Sequence, residues 1–205
     1  MSTRTLAVVS AGLSVPSSTR LLADRLADAA VDALRARDVD VRTEVVELRD
    51  HARDLADHLV TGFPNASLRP VLDTVAGADG LVAVTPIFSA SYSGLFKTFV
   101  DVLDRDALDG TPVLLGATAG TARHQLALDH ALRPLFAYLH ATVVPTGVFA
   151  AAEDWGGTSI SRELGARITR AGGELADLVA ARAPAAADDP FADVPSFAAL
   201  LHGEA

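Results

Sequence analysis

The 205-residue sequence contains no cysteine. This absence excludes disulfide bonds, thiolate metal sites, iron–sulfur clusters and a cysteine nucleophile, so any redox chemistry must belong to an organic cofactor. The sequence also has no apolar run close to the roughly 20 residues that a membrane-spanning helix needs. Its first residues lack the apolar length and the small-residue cleavage site of a signal peptide. We therefore expect a cytoplasmic protein with no membrane partner.

Basic residues are outnumbered, since 17 Lys and Arg stand against 26 Asp and Glu and give a formal net charge of −9. Binding the backbone of a nucleic acid needs clustered Lys and Arg, and we expect no nucleic-acid partner. Half of the residues are hydrophobic, which at this length fits one well-buried domain. We place that domain at residues 1–182 and predict a linker and a C-terminal tail over residues 183–205.

Short apolar runs alternate with amphipathic segments throughout the predicted domain. The apolar runs predict strands at residues 6–9, 41–48, 80–85, 111–116 and 142–149. Helical spacing of apolar residues predicts helices at residues 18–37, 68–76, 93–103, 122–140 and 159–182. Residues 49–66 are polar and contain the breaker Gly62-Phe63-Pro64-Asn65, so we predict an irregular connection there.

Five strands that alternate with helices are typical of a doubly wound parallel sheet, because a parallel crossover is normally right-handed and carries a helix. The predicted fold class is therefore α/β, with a flavodoxin-like five-stranded parallel sheet in the order 2-1-3-4-5. Such a sheet binds ligands beyond the carboxyl ends of its strands, where the strand order reverses. The loops after strands one, three and four form the candidate site.

The loop after strand one is rich in hydroxyl groups and leads directly into a helix. Free backbone N–H groups and the helix dipole favour a phosphate at such a place, and hydroxyls add donors without adding charge. The sequence has neither GxxxxGK[ST] nor GxGxxG here, and the alternative is that the last three hydroxyl residues only cap the helix. Its position after strand one favours phosphate binding, with the candidate residues Ser10, Ser14, Ser17, Ser18 and Thr19.

Residues 85–101, which follow strand three, carry a more specific pattern. They read Thr-Pro-Ile-Phe-Ser-Ala-Ser-Tyr-Ser-Gly-Leu-Phe-Lys-Thr-Phe-Val-Asp. This segment resembles the signature Pro-x-Tyr-x-x-x-x-x-Gly-x-x-Lys-x-x-x-Asp of the NAD(P)H-dependent FMN reductase family, with Phe88 in place of Tyr. Lys97 and Asp101 are either a surface pair four residues apart or part of a subunit contact. The resemblance implies that the residues after the Pro form a backbone wall against the isoalloxazine ring. The candidate cofactor-binding residues of this segment are Thr85, Pro86, Ile87, Phe88 and Ser89.

Residues 116–134, after strand four, are similar to the reductases of two-component alkanesulfonate monooxygenase systems. Their segment runs Gly-Gly-x-x-x-His-x-Leu-Ala-x-Asp-Tyr-Ala-Leu-Lys-Pro, and the resemblance covers roughly residues 5–180. In those reductases the Tyr lies on a π-bulge of the tetramer-forming helix, near the flavin of a neighbouring subunit. His130 replaces it here; the alternative is an interface or core histidine bonded to a backbone carbonyl. The candidate cofactor-binding residues of this segment are Thr118, Ala119, Gly120, Thr121 and His130.

The resemblance implies an NAD(P)H-dependent FMN reductase that takes hydride from NADPH or NADH and supplies reduced flavin to a partner monooxygenase. It also implies a homo-oligomer, either a dimer or a tetramer. Hydride transfer needs two stacked rings and not an acid–base pair, so we predict no catalytic side chain. We expect the N–H groups of Ala119, Gly120 and Thr121, at a helix start, to stabilise the charge of the reduced flavin. The alternatives are a quinone or azo reductase that retains FMN and a flavodoxin-type electron carrier.

A metal site is not expected. His51, Asp54, Asp57 and His58 lie close together in the sequence, but they lack a recognised ligand spacing. We interpret this stretch as a solvated surface.

Overall fold

Strands and helices alternate along residues 3–155 and 160–182, the residues that our computed structural model describes. The predicted linker and tail of residues 183–205 lie outside this range. The strands are β1 (Arg4–Ser10), β2 (Val41–Glu47), β3 (Gly80–Phe88), β4 (Ser91–Tyr92), β5 (Pro112–Ala119), β6 (Thr142–Val143) and β7 (Val148–Ala151). The α-helices are α1 (Ser18–Arg35), α2 (Ala52–Thr61), α3 (Arg69–Ala76), α4 (Gly94–Asp101), α5 (Arg133–Tyr138) and α6 (Arg162–Ala181).

The sheet is parallel along the path β2-β1-β3-β5-β6, and β7 continues it by pairing parallel with β5. Val8 of β1 lies opposite Val45 of β2 and Val82 of β3. Strand β1 therefore lies between β2 and β3, which is where the chain reverses the direction in which it adds strands. This arrangement confirms the predicted α/β class with a parallel sheet.

The predicted count of five strands in the order 2-1-3-4-5 is wrong in detail, because the described part of the chain forms a sheet of seven strands. The predicted fifth strand is divided into β6 and β7. Pro145 has no N–H to donate to a ladder, and the Thr146 N–H donates to Glu174 Oε2 of α6 at 2.8 Å instead of to a strand. The seventh strand, β4, pairs antiparallel with the end of β3.

Both faces of the sheet are covered, as its continuous apolar strands predict. Alternate residues of β1 point to opposite faces: Val8 packs in the core under α1 and α6, whereas Ala7 and Val9 pack in the core on the other face. Helices α1 and α6 approach closely at Gly172, where an added Cβ would lie 2.7 Å from the backbone carbon of Ala29. The two layers of helices leave the carboxyl edge of the sheet to the connecting loops.

Two predicted segments differ from the structure. The polar connection at residues 49–66 contains a 3₁₀ turn at Leu48–His51 and then α2, whose Leu55 is fully buried. Gly62 ends α2 in the left-handed conformation, with φ of 78°, and its N–H donates to the His58 carbonyl oxygen at 2.8 Å. Because only one residue of α2 is buried, the segment is polar in composition, and its helical pattern was not recognised in the sequence.

The predicted continuous helix at residues 122–140 is the second difference. It is a 3₁₀ turn at Ala122–His124, a π-helical turn at Leu128–Leu132 and the short helix α5. Pro134 cannot donate to the carbonyl of residue 130, and its ring crowds that carbonyl. A regular α-helix therefore cannot run through this segment, and the wider turn contains His130.

Candidate functional site

A crevice of about 790 Å³ opens at the carboxyl edge of the sheet. Its walls come from the β1–α1 loop (residues 11–17) with the first turn of α1, from the ends of β3 and β5, and from the turn that follows β7. The predicted residues that line it are Ser14, Ser17, Ser18, Thr19, Pro86, Ile87, Phe88, Thr118, Ala119 and Gly120. The three predicted loops thus meet in one place.

The N-terminus of α1 forms one end of the crevice. Ser17 is its N-cap, and its Oγ accepts a hydrogen bond from the Arg20 N–H at 3.2 Å. The capping alternative therefore holds for this hydroxyl. An α-helix leaves its first N–H groups without acceptors in the helix, so Ser18 and Thr19 present N–H groups at the positive end of an 18-residue helix.

The β1–α1 loop is packed closely onto this helix end. A Cβ at Gly12 would lie 2.1 Å from Ser17 Oγ and 3.2 Å from Thr19 Cβ, so this position needs glycine. The Oγ1 atoms of Thr19 and Thr118 share a hydrogen bond of 2.8 Å, and both residues are buried. The start of α1 and the end of β5 are therefore held together beneath the crevice.

The end of β3 forms the opposite wall through a tight hairpin. Ser89 and Ala90 connect β3 to β4 with φ of 49° and 66°, the two positive values that a type I′ turn requires. The turn carries Ser89 past the crevice, so the prediction that Ser89 lines the site is not supported by this geometry. Phe88 remains at the rim and is 49% exposed.

Two predicted hydroxyls lie beneath the crevice and use their hydrogen-bonding capacity inside the fold. The buried Ser10 Oγ accepts from the Gly12 N–H at 3.5 Å. The buried Thr85 Oγ1 accepts from the Ser93 N–H at 3.1 Å, at the start of α4. Neither residue is part of the crevice wall.

The segment after β5 differs most from expectation. Gly120 lines the crevice, and a Cβ added there meets nothing within 4 Å. Thr121 is exposed outside the crevice and precedes only a three-residue 3₁₀ turn, so the expected support from a helix dipole is lacking there. His130 is exposed on the π-helical turn, away from the crevice. It is therefore not a core histidine, and its place in a subunit interface stays a prediction.

Comparison with known proteins identifies the family of this chain. Residues 4–156 match the family model described as NADPH-dependent FMN reductase. The chain belongs to the NADPH-dependent FMN reductase family. A relative from Pseudomonas aeruginosa strain PAO1, named FMN reductase (NADPH), is 40% identical over 85% of this chain and 91% of its own length.

Three further proteins are similar to most of the chain, at different levels of identity. The NADH-dependent FMN reductase SfnE of Pseudomonas putida is 39% identical over 78% of this chain and 84% of its own length. The X-ray structure of an oxidoreductase from Corynebacterium diphtheriae is 50% identical, with a TM-score of 0.85, and the match covers 88% of this chain and 99% of that one. A WrbA-like flavodoxin from Agrobacterium tumefaciens, 14% identical with a TM-score of 0.57 and covering 87% of this chain and 98% of that one, shares the flavodoxin-like fold alone.

The crevice fits the FMN of this family on its own geometry. Its volume lies in the range of cofactor pockets, about 300–1,000 Å³. One end offers hydroxyls and free N–H groups, which suit a phosphate, and the rest is mainly apolar. At Gly120 the backbone has no covering side chain, so a flat ring can approach it closely.

Five lining residues were missing from the sequence prediction: Leu13, Pro16, Leu21, Ala152 and Trp155. The first three are apolar residues between or beside the predicted hydroxyls. Ala152 and Trp155 lie in the 3₁₀ turn directly after β7, a parallel strand whose carboxyl end reaches the same edge. That rule could have identified them.

The charged groups near the crevice are paired. Arg20, in the first turn of α1, donates from Nε to Asp24 Oδ1 at 2.7 Å. This hydrogen bond, together with the negative charges of Asp24 and Glu47, holds the pKa of Arg20 above its ordinary value. Among the described residues that line the crevice there is no Lys, Arg, His, Asp or Glu.

The remaining candidate groups form surface contacts. Lys97 Nζ donates to both carboxylate oxygens of Asp101, at 2.6 and 2.8 Å, and this bond raises the pKa of Lys97. The predicted surface pair is therefore present. Asp54 accepts from Ser67 Oγ at 2.6 Å and from Asn65 Nδ2 at 2.7 Å. Within the described ranges, no three His, Asp or Glu residues are placed to hold a metal ion, and no helix is long and apolar enough to cross a bilayer.

Proposed function

We propose that this chain is an NAD(P)H-dependent FMN reductase that binds FMN in the crevice at the carboxyl edge of the sheet. The observation that carries the proposal is that a helix N-terminus and two apolar strand ends open into one crevice. FMN, when bound, supplies the hydride-accepting ring. The protein has to bind that ring, orient it and keep one face open for the nicotinamide.

The phosphate end is formed by the first turn of α1. The N–H groups of Ser18 and Thr19 donate to the phosphate oxygens, and the dipole of the helix favours the negative charge. The exposed hydroxyl of Ser18 adds a donor at the mouth of the crevice, whereas the Ser14 hydroxyl donates to the Pro16 carbonyl oxygen and shapes the loop. Ser10 acts one layer below, since its hydroxyl holds Gly12 of the loop that leads to these donors, and the Thr85 hydroxyl holds the start of α4 below the ring end.

The ring end is formed by Pro86, Ile87 and Phe88 on one side and by Ala119 and Gly120 on the other. These residues present backbone and apolar surface, which excludes water from the stacked rings. Hydride transfer between two cofactors requires proximity and orientation and no proton donor. The absence of titratable side chains from the described crevice lining supports this chemistry over hydrolysis, which needs an activated nucleophile.

We further propose that FMN exchanges as a substrate and that the reduced flavin passes to a flavin-dependent monooxygenase. The support is the lack of a cation in the described crevice wall, together with the exposed rim at Leu13 and Phe88. The names of two relatives, FMN reductase (NADPH) and NADH-dependent FMN reductase SfnE, are together in keeping with either nicotinamide nucleotide. A cytoplasmic location and a homo-oligomer, dimer or tetramer, belong to the same proposal.

Two measurements test the proposal. Titration with FMN should change the emission of Trp155, the one tryptophan of the chain, which lines the crevice. Stopped-flow mixing of the FMN-loaded protein with NADH or NADPH should then bleach the visible absorbance of the oxidised flavin. Absence of bleaching would favour an electron carrier, and FMN that stays bound through dialysis with turnover of quinones would favour the retaining reductase.

A further inference from the structure

We propose that Arg49 is a positioning residue that fixes the β1–α1 loop for the flavin phosphate and so makes the site select FMN over riboflavin. The inference rests on the proposed function, because it concerns how the same crevice recognises the phosphate. Arg49 does not line the crevice. It acts through the loop that does.

Arg49 reaches the loop from the neighbouring strand. It follows β2, whose last residue, Glu47, lies opposite Ser10 at the end of β1. Arg49 Nη1 donates to the Ser14 carbonyl oxygen at 2.8 Å. Ser14 lines the crevice, and its Oγ donates to the Pro16 carbonyl oxygen at 2.9 Å.

Among the described residues, this contact is the one hydrogen bond that ties residues 13–16 to a part of the chain other than β1 and the loop itself. The other bonds at these positions are local, from the Gly12 N–H to Ser10 Oγ and within the turn from Ser14 to Pro16. A loop with few ties samples many conformations, and ordering it on binding costs free energy. Arg49 therefore reduces the ordering cost of binding a phosphate at this loop.

Glu47 fixes the guanidinium groups of both neighbouring arginines. Its Oε2 lies 2.8 Å from Arg49 Nη2, and its Oε1 accepts from Arg20 Nη1 at 2.6 Å. Arg20 belongs to the first turn of α1, so one partly buried carboxylate connects the end of β2 to both parts of the phosphate end. Asp24 and Glu47 balance the charges of the two arginines. The effect of Arg49 is consequently one of geometry more than of free positive charge.

The test compares FMN with riboflavin, which has the same ring and no phosphate, by calorimetric titration of the full chain. For Arg49→Met we expect the Kd for FMN to rise about tenfold, the effect of losing one charge-assisted hydrogen bond. The Kd for riboflavin should stay within about twofold. The matched control is Arg42→Met, since Arg42 is an exposed arginine of β2 paired with Thr5, near the opposite edge of the sheet.

Arg49→Lys separates geometry from charge. A lysine ammonium on a flexible side chain cannot contact the Ser14 carbonyl oxygen and the Glu47 carboxylate in the fixed geometry of the Arg49 guanidinium. We therefore expect only partial recovery of FMN affinity. A wild-type FMN Kd in Arg49→Met or Arg49→Lys would overturn the inference, as would equal weakening of FMN and riboflavin. Should Arg49→Met fail to fold, Arg49→Lys decides alone. If the wild-type chain bound no FMN, the proposed function itself would fall, a result distinct from these.

Discussion

Replacing Gly120 by valine should weaken flavin binding without unfolding the protein. A Cβ at this position meets no protein atom within 4 Å, and the backbone of Gly120 does not have the positive φ that would strain any other residue. We therefore expect the free energy of unfolding to change by no more than about 0.5 kcal/mol, as for other uncrowded positions. The added methyl groups instead occupy the space beside Ala119, where the proposed function places the isoalloxazine ring.

The size of the binding defect follows from overpacking. Forcing extra methyl groups into a filled site costs about 1–3 kcal/mol, which corresponds to a rise in the FMN Kd of about 5- to 150-fold. Flavin reduction at subsaturating FMN should fall in proportion. The assay is a titration with FMN followed by Trp155 emission, alongside thermal melting of the unliganded protein.

Gly116→Ala provides the opposite control. Its Cβ would lie 2.9 Å from Leu26 Cδ1 and 3.0 Å from Val84 Cγ2, inside the core and away from the crevice. This variant should melt earlier and, once folded, bind FMN as the wild type does. A folded Gly120→Val protein with wild-type FMN affinity and normal turnover would refute the placement of the ring.

Three further predictions concern other parts of the fold. Thr19→Val should lower the free energy of unfolding by about 1–2 kcal/mol, measured by urea titration, because it leaves the buried Thr118 hydroxyl without its partner; no loss would contradict this. Trp155 emission should be quenched by saturating FMN, and unchanged emission on binding would remove Trp155 from the site. The hydrogen bond from Ser67 lowers the pKa of Asp54, so the carboxylate stabilises the fold above its unfolded pKa and loses this effect as the pH falls through the folded value. Asp54→Asn should therefore lower Tm at pH 7 but not near pH 2, and an equal loss at both would contradict the assignment.

The apolar strands could be predicted because both faces of the sheet are buried, so that nearly every residue of a central strand is apolar. Val8 and its neighbours Ala7 and Val9 are apolar whichever face they meet. Helix α2 could not be predicted in this way, because Leu55 is its one fully buried residue and the rest of the segment is polar. The spacing of apolar residues predicted one continuous helix over residues 122–140, and the π-helical turn at Leu128–Leu132 was indicated only by the resemblance to reductases that have a π-bulge at this position.

The candidate site was predictable to the level of loops and less so to the level of side chains. The carboxyl-edge rule predicted that Ser18, Gly120 and Phe88 lie near one another, and all three line one crevice. It could not tell that the hydroxyls of Ser10 and Thr85 turn inward, because side chains alternate along a strand and the last residue can point either way.

The pairing of charges around the β1–α1 loop connects the site to the proposed exchange of FMN. Arg20 and Arg49 lie beside the phosphate end, but carboxylates already occupy both guanidinium groups. In the proposed site the phosphate would be held by N–H groups and hydroxyls, which bind an anion more weakly than a charge-assisted pair does. Because a weaker hold shortens the time that FMN stays bound, the arrangement favours release of the reduced flavin. Arg49 thus ties the loop in place, and neither arginine gives the phosphate a fixed countercharge.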